Sequence, residues 1–291
     1  MDTVKLQVGV NLQPGLKLPP GLIYQQEFFG AEELKKALTY LESVRPIWEK
    51  RFSKSNPPPE GQSNRGLLRP VYWLGNWQFA CLNYYHPPKG IEFRCVRAEP
   101  YPSVLVQAVD RIEAQTRQQI PERDIPKRWH LNTCLINYYG SRLTEEGKWD
   151  DVARVGEHKD FEPGPVASLS FGESALFQFV ASQSKGSQSQ VVRQMWLDHN
   201  SLQIFGGDNW KKKYFHRVQR VEKKRAFNLA PGIQKFQTRR INLTFRYVPT
   251  EHVQPLSRFP QHLKEDVASY IHELAGASPY FQQELLDANL L

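Results

Sequence analysis

The chain changes its hydrophobic period near its middle. Over residues 32–50, Leu34, Leu38, Leu41 and Ile47 recur at a spacing that predicts one helix with a buried stripe. Leu105, Val109 and Ile112, with Ser103 ahead of them as a cap, predict a second helix. Leu263, Val267, Ile271 and Leu274 predict a last one, with Gly276 placed to end it. From residue 131 onward the apolar positions fall instead into the short runs CLINYY, VASLSF, ALFQFV, VVRQMWLD, LQIFG, YFHRV and INLTFRYV, bounded by Gly, Ser, Asn and Asp, as in a series of β-strands. SKSNPPPEGQSNRG, residues 53–66, reads as a loop. Residues 67–97 are dense in aromatics, among them Tyr72, Trp73, Trp77, Phe79, Tyr84, Tyr85 and Phe93, with Pro87 and Pro88 marking a turn. No internal repeat is present, and the parse is a single α+β domain, helical and aromatic first and β-rich afterwards.

One run carries two different faces. In QTRRINLTFRYV, a strand sends Ile241, Leu243, Phe245 and Tyr247 to one side and Arg240, Asn242, Thr244 and Arg246 to the other. The first side is core. The second holds two guanidinium groups in the middle of a strong β run, where burial requires an anionic partner. Because arginine matches planar carboxylates through paired hydrogen bonds, a small diacid lying along this face would satisfy both ends. Asn137 and Tyr139 share one side of CLINYYG and supply an amide and a phenol that could orient such an acid.

Composition narrows the class. With 40% hydrophobic and 23% charged residues in 291, the chain is an ordinary globular protein with enough length to bury a sizeable core. Cys81, Cys95 and Cys134 are odd in number and form no CxxC, which argues against a disulfide framework or a zinc knuckle. MDTVKLQVGV lacks a basic region followed by an apolar core, and no run approaches membrane-spanning length. An intracellular protein follows as the expectation, cytoplasmic or, in a eukaryote, nuclear. The net charge is +8, and residues 210–225, WKKKYFHRVQRVEKKR, hold eight basic side chains against one Glu. Such a cluster suits a phosphate-facing surface, and equally a solvated hairpin.

The chemistry centres on GEHKDFE, residues 156–162. If it is extended, His158 and Asp160 leave the same face and converge on one point, as two ligands of a metal ion would. Two His and one carboxylate with open positions form the facial triad of non-haem Fe(II) oxygenases. His216 in YFHRV and His199 in the LDHN turn compete for the third place, and spacing does not choose between them.

The order of these segments resembles the AlkB group of Fe(II)- and 2-oxoglutarate-dependent dioxygenases. CLINYYG, GEHKDFE, PVASLSFGESALFQF, MWLDHNSLQIFGGDNWKKKYFHRV and RINLTFR follow the family's order through the second half of the chain. Before residue 120 the resemblance is confined to EPYPSVLVQAVDRI. It implies His158, Asp160 and His216 as iron ligands, with His199 left in a turn. Arg240 would meet the distal carboxylate of 2-oxoglutarate, helped by Tyr139, while Arg246, Asn137 and Asn242 would act near its metal-bound end or orient it. The implied fold is a double-stranded β-helix, or jelly roll, with flanking N- and C-terminal helices: residues 1–130 as helices and a nucleotide-recognition lid, 131–249 as the jelly-roll core, 250–291 as a helical extension.

The implied activity is oxidative demethylation of N-alkylated bases in DNA or RNA, with Fe(II), 2-oxoglutarate and O2 consumed or held and formaldehyde, succinate and CO2 released. A target base must leave its stack to react, so Trp73, Trp77, Tyr84 and Tyr85 become lid candidates. Glu162, two residues past Asp160, could accept a hydrogen bond from an exocyclic base amine. Lys211, Lys212, Lys213 and Arg217, flanking His216, would lie near the pocket mouth. GSRLTEEGKWDDVARVGE, residues 140–157, is longer than its counterpart in bacterial repair members, long enough for a flap over the pocket. The alternative within the family is a protein-directed hydroxylase or demethylase. The protein is expected to act as a monomer away from membranes.

Overall fold

The alternation in QTRRINLTFRYV becomes a single 11-residue strand, Phe236–Arg246, at the centre of the molecule. In the computed structural model, residues 19–54, 57–78, 95–181, 189–220 and 232–290 are described. The elements run β1 (Leu22–Gln25), α1 (Ala31–Ser43), β2 (Val71–Leu74), β3 (Asn76–Gln78), β4 (Cys95–Arg97), α2 (Ser103–Gln119), β5 (Thr133–Leu143), β6 (Trp149–Asp151), β7 (Val155–His158) and β8 (Val166–Gly172). There follow β9 (Ala175–Ala181), β10 (Gln190–Leu197), β11 (Ser201–Phe205), β12 (Phe215–Gln219), β13 (Phe236–Arg246), β14 (Val253–Gln254), α3 (Gln261–Ala275) and α4 (Pro279–Asp287).

The architecture is a mixture of helices and mostly antiparallel sheets. A larger sheet has the order β1-β11-β8-β13-β5-β2, with β6 added on β5, and a second sheet has the order β10-β9-β12-β7. Ile241, Leu243 and Phe245 of β13 are fully buried and join one apolar cluster with Leu41 of α1, Leu105 and Ile112 of α2, and Val267 and Ile271 of α3. The other face of β13 looks toward the second sheet, whose Phe177, Phe179, Met195 and Leu197 form a smaller cluster with Phe205 of β11 and Trp210. Helices therefore cover one face of the large sheet and leave the other for a polar cavity. Among the described residues, no helix is long and apolar enough to cross a membrane.

Several sequence expectations shift at element ends. Helix α1 stops at Ser43 rather than running to residue 50, and Val44 already has extended backbone (φ −65°, ψ 144°). Pro46 explains the stop, because a proline disfavours helical backbone in the residue before it. Ile47 is buried, but through a bridge to Val71. At α2, Pro102 rather than Ser103 occupies the capping position; its ring fixes φ near the required value and it has no N–H to leave unpaired. Gly276 does end α3, in right-handed geometry (φ −62°), so its conformational freedom is not used. Helix α4, unanticipated because it is only nine residues long, starts with proline in its first turn and buries Phe281 and Leu285.

The long segment after Asn137 begins as a hairpin, and its far end, at Val155, lines the pocket. Strand β5 continues to Leu143, turns, and returns as β6, with Ser141 opposite Asp151. Arg239 holds this hairpin: it pairs with Asp151 at 2.9 Å and Glu173 at 3.2 Å and donates to the Ser141 hydroxyl. The register slips between Thr238 and Arg240, so a bulge lets two adjacent arginines serve different purposes. Gly140 allows the close approach there, since a methyl at that position would overlap the carbonyl of Gln237.

The two-faced reading of β13 predicts unequal costs for neighbouring substitutions. Phe245→Ala should destabilise the protein by about 3–5 kcal/mol, whereas Thr244→Ala, on the cavity side, should cost under about 1 kcal/mol. Urea denaturation of the two variants checks this.

Candidate metal and co-substrate site

Strand register brings two distant imidazoles together. His158 ends β7, and in the antiparallel β7–β12 pair it stands directly opposite His216. Directly opposed residues on one face lie close enough for side-chain contact, and the two ring centroids are 4.2 Å apart. His158 Nδ1 lies 2.9 Å from the Gly156 carbonyl. A carbonyl can only accept, so Nδ1 carries the proton and Nε2 keeps its lone pair free. Burial lowers the pKa of His158, and burial together with the neighbouring His158 drives that of His216 well down. Both rings are neutral at pH 7, as metal ligands must be.

Asp160 completes the group from just beyond the end of β7, so strand geometry alone does not aim it. A buried clamp does. Arg246, from β13 in the opposite sheet, reaches Asp160 Oδ1 with Nη2 at 2.7 Å and Nε at 2.9 Å. Lys211, buried beneath, donates to the Asp160 main-chain carbonyl at 3.2 Å. Burial would raise the Asp160 carboxyl, but Arg246 foremost, then Lys211 and the two imidazoles, hold it far below the usual carboxylate range. Oδ2 remains on the imidazole side, 3.4 Å from His216 Nε2. One ligand atom from each of His158, Asp160 and His216 lies within 4.8 Å of the others. His199 stays outside: in the turn between β10 and β11, its Nδ1 accepts from the Gly172 N–H at 2.9 Å.

Between the sheets, this group opens onto a cavity of about 70 Å³, room for several waters. Asn137, Tyr139, Arg240, Asn242 and Arg246 all line it, as the strand alternation predicted. Their situations differ. Arg246 is held by Asp160 and lies 3.5 Å from Glu162, so its charge is already spoken for by carboxylates. Asn242 is bonded to Ser168, Ser170, Leu169 and Thr244. Arg240 is 3% exposed, sits 4.9 Å from the centre of the Tyr139 ring and bonds the Ser170 hydroxyl at 3.1 Å. Its Nε has no hydrogen-bond partner, and among the described residues it forms no ion pair. Arg69 was missed by the sequence reading. Its Nε donates to Asn137 Oδ1 at 2.6 Å and its guanidinium lies 5.1 Å from the Tyr139 ring centre. It precedes β2 in a stretch without periodicity, so no sequence signal marked it.

A family model described as the 2OG-Fe(II) oxygenase superfamily matches residues 21–246. The chain belongs to that superfamily. It is accordingly an Fe(II)- and 2-oxoglutarate-dependent dioxygenase, an oxidoreductase that uses O2. A solved structure described as "The structure of OsALKBH1" is 22% identical in sequence, covers 79% of this chain and 100% of its own, and has a TM-score of 0.48. No curated protein matches the sequence. For this oxygenase the donor set suits the implied groups: two neutral imidazoles and a carboxylate fit Fe(II), and the unpartnered Nε of Arg240 is a buried donor that a carboxylate of 2-oxoglutarate could satisfy.

The residues expected on the substrate side divide. Trp73 lines a second chamber next to His158 and Asp160, together with Phe161 and Glu162. Trp77 does not: it is fully buried, with Tyr270 and Phe281 at ring-centre distances of 6.1 and 6.4 Å. Both indoles donate to Glu49 Oε1 at 2.8 Å. Trp77 is a core residue because every position of β3 is buried and its ring packs in the apolar cluster that also contains Tyr270 and Phe281. Tyr84 and Tyr85 lie outside the described residues. Glu162 is buried, 4% exposed, with no hydrogen-bond donor at either carboxylate oxygen. The basic run is also not uniform. Lys211 points inward, Lys212 is exposed and pairs with Asp208 at 2.7 Å, Lys213 lies over the Tyr214 ring, and Arg217 pairs with Glu157 at 2.6 Å. The irregular turn Asp208–Lys213 aims successive lysines in different directions.

Arg246→Met should weaken Co(II) binding, Co(II) standing in for iron, about 10- to 100-fold by freeing Asp160 to move. Arg246→Lys should recover only part, having a single ammonium in place of the two-pronged contact. Titration calorimetry distinguishes them. Arg240→Met should leave Co(II) affinity unchanged and weaken 2-oxoglutarate binding about 10- to 100-fold, about 1.5–3 kcal/mol for a charged hydrogen bond.

Proposed function

We propose that this oxygenase removes alkyl groups from the nitrogens of nucleobases in DNA or RNA. The observation carrying this reading is the chamber beside the His158–Asp160–His216 group, where Trp73 and Phe161 accompany a buried Glu162 that Arg246 approaches at 3.5 Å but whose oxygens accept no hydrogen bond. A flat ring with an exocyclic amine, or with the positive charge that N-alkylation can confer, would supply both the aromatic contact and the missing donor. The resemblance of GEHKDFE and RINLTFR to the AlkB group supports the same substrate class.

In this reading His158, Asp160 and His216 hold Fe(II). Arg240 with Tyr139 takes the far carboxylate of 2-oxoglutarate, and Asn137, steadied by Arg69, lies along the same wall with Asn242. Arg246 keeps Asp160 in place and lies between it and Glu162. Phe177, Leu197 and Phe205 give the cavity a dry inner wall. Fe(II), 2-oxoglutarate and O2, when bound, supply hydroxylation of the N-alkyl carbon with release of succinate and CO2; the hydroxylated group then leaves as formaldehyde from a methylated base. The chain's own contribution is placement, charge compensation and exclusion of water. The facing sheets support a double-stranded β-helix core over 131–249, preceded by the lid and helices of 1–130 and followed by the helices of 250–291.

Incubation with Fe(II), 2-oxoglutarate and a panel of methylated oligonucleotides and peptides should yield formaldehyde and succinate from oligonucleotides. His158→Ala should abolish both products. Glu162→Gln should lower kcat/KM for the oligonucleotide about 10- to 100-fold with little effect on 2-oxoglutarate affinity. Formaldehyde from peptides alone would instead establish the protein-directed activity.

A further inference from the structure

Of the lysines preceding His216, Lys211 is buried, Lys212 is paired with Asp208 and Lys213 lies over the Tyr214 ring, and a second basic surface lies elsewhere. A groove of about 680 Å³ runs beside the cavity, within the size range of ligand clefts. Among the described residues its charged lining is Arg51, Arg65, Arg69, Arg154 and Arg217, with Glu157 as the one carboxylate. These arginines come from separate parts of the chain. Arg51 and Arg65 flank the proline-rich loop and are drawn together by the Arg51 N–H donating to the Arg65 carbonyl at 3.0 Å and by the adjacent Lys50–Gly66 bridge. Arg69 precedes β2, Arg154 precedes β7, and Arg217 lies on β12.

Gathering five guanidinium groups against one carboxylate raises the local potential. Arg217 is compensated by Glu157, whereas Arg65 and Arg154 form no ion pair with any described residue. The groove is also continuous with the chemistry. Arg69 and Val155 line the groove, the cavity and the aromatic chamber alike. An extended anionic chain lying in the groove therefore passes the entrance to both.

We propose that this groove is the track for the sugar–phosphate backbone of a single nucleic-acid strand, with Arg65 and Arg154 binding phosphates and Arg69 at the point where the target base turns inward. The proposal rests on the nucleobase reading above and adds where the strand lies. Guanidinium groups bind phosphate oxygens in pairs, and a cationic groove beside an aromatic chamber is the arrangement that follows a backbone while stacking a base.

The test is the salt dependence of binding of a labelled single-stranded oligonucleotide to the full-length protein, by fluorescence anisotropy over roughly 50–200 mM salt. Removing two phosphate contacts with Arg65→Ala/Arg154→Ala should flatten the slope of log affinity against log salt by about 1.4, at about 0.7 per contact for a single strand, and weaken binding about tenfold or more at low salt. Arg65→Lys/Arg154→Lys should keep the slope, and Lys212→Ala/Lys213→Ala should change it little. Each variant is compared at an unchanged melting temperature, and the lysine pair reports on charge should the alanine pair unfold. If the wild type binds and the Arg65→Ala/Arg154→Ala slope equals its own, or if the Lys212→Ala/Lys213→Ala slope falls instead, the groove is overturned and the nucleobase reading stands. If the wild type binds no oligonucleotide, whether or not it captures a polyglutamate peptide, both fall together.

Discussion

The site depends on one buried ion pair that joins the two sheets. Arg246 projects from β13 across the cavity and grips Asp160 Oδ1 from two nitrogens, at 2.7 and 2.9 Å. Without this contact Asp160, lying past the end of β7, would have no reason to keep its second oxygen turned toward His216. Removing one member of a buried pair costs roughly 3–5 kcal/mol because the other charge is left uncompensated. The ion pair therefore sets the position of the carboxylate. The imidazoles are positioned by a different device, the β7–β12 register, and the two devices together assemble three ligands from two stretches of chain.

A second consequence lies in the contrast between two arginines on one face of one strand. Arg246 has carboxylates within reach, and Arg240 has a phenol ring, a hydroxyl and an Nε with no acceptor. Burying a guanidinium in that state is costly in the absence of an anion. The imbalance marks Arg240 as the position that gains most when a carboxylate arrives, and Arg246 as a positioning residue. Arg239, displaced by the bulge, is a third case, since Glu173 and Asp151 satisfy it and it holds the β5–β6 hairpin.

Aromatic and basic residues were the least legible part of the sequence. Trp73 and Trp77 are chemically alike and share one carboxylate, yet one borders a chamber and the other fills the core. Lys211 and Lys212 are adjacent, yet one is buried against the Asp160 carbonyl and the other is in solvent beside Asp208. Side-chain type states what a residue can do, but burial and partners decide which of those things it does. Arg69 shows the converse: no periodicity pointed to it, and it lies where three concave surfaces meet.

What the sequence by itself determined is the part governed by local periodicity and chemical type. The two-residue alternation of β13 separates core from cavity, the short apolar runs define the strands, and the pairing of HxD with a distant His and two strand arginines specifies the donor set. Those features depend only on backbone geometry and the functional groups present. Residue spacing did not choose the histidine that joins the pair, and His216 was named only through the family resemblance; the tertiary structure supplied the physical reason, because strand register is a contact between residues far apart in sequence. It also decided which of the two arginines has carboxylates within reach and where the positive surface gathers, because both depend on the charges that folding brings alongside.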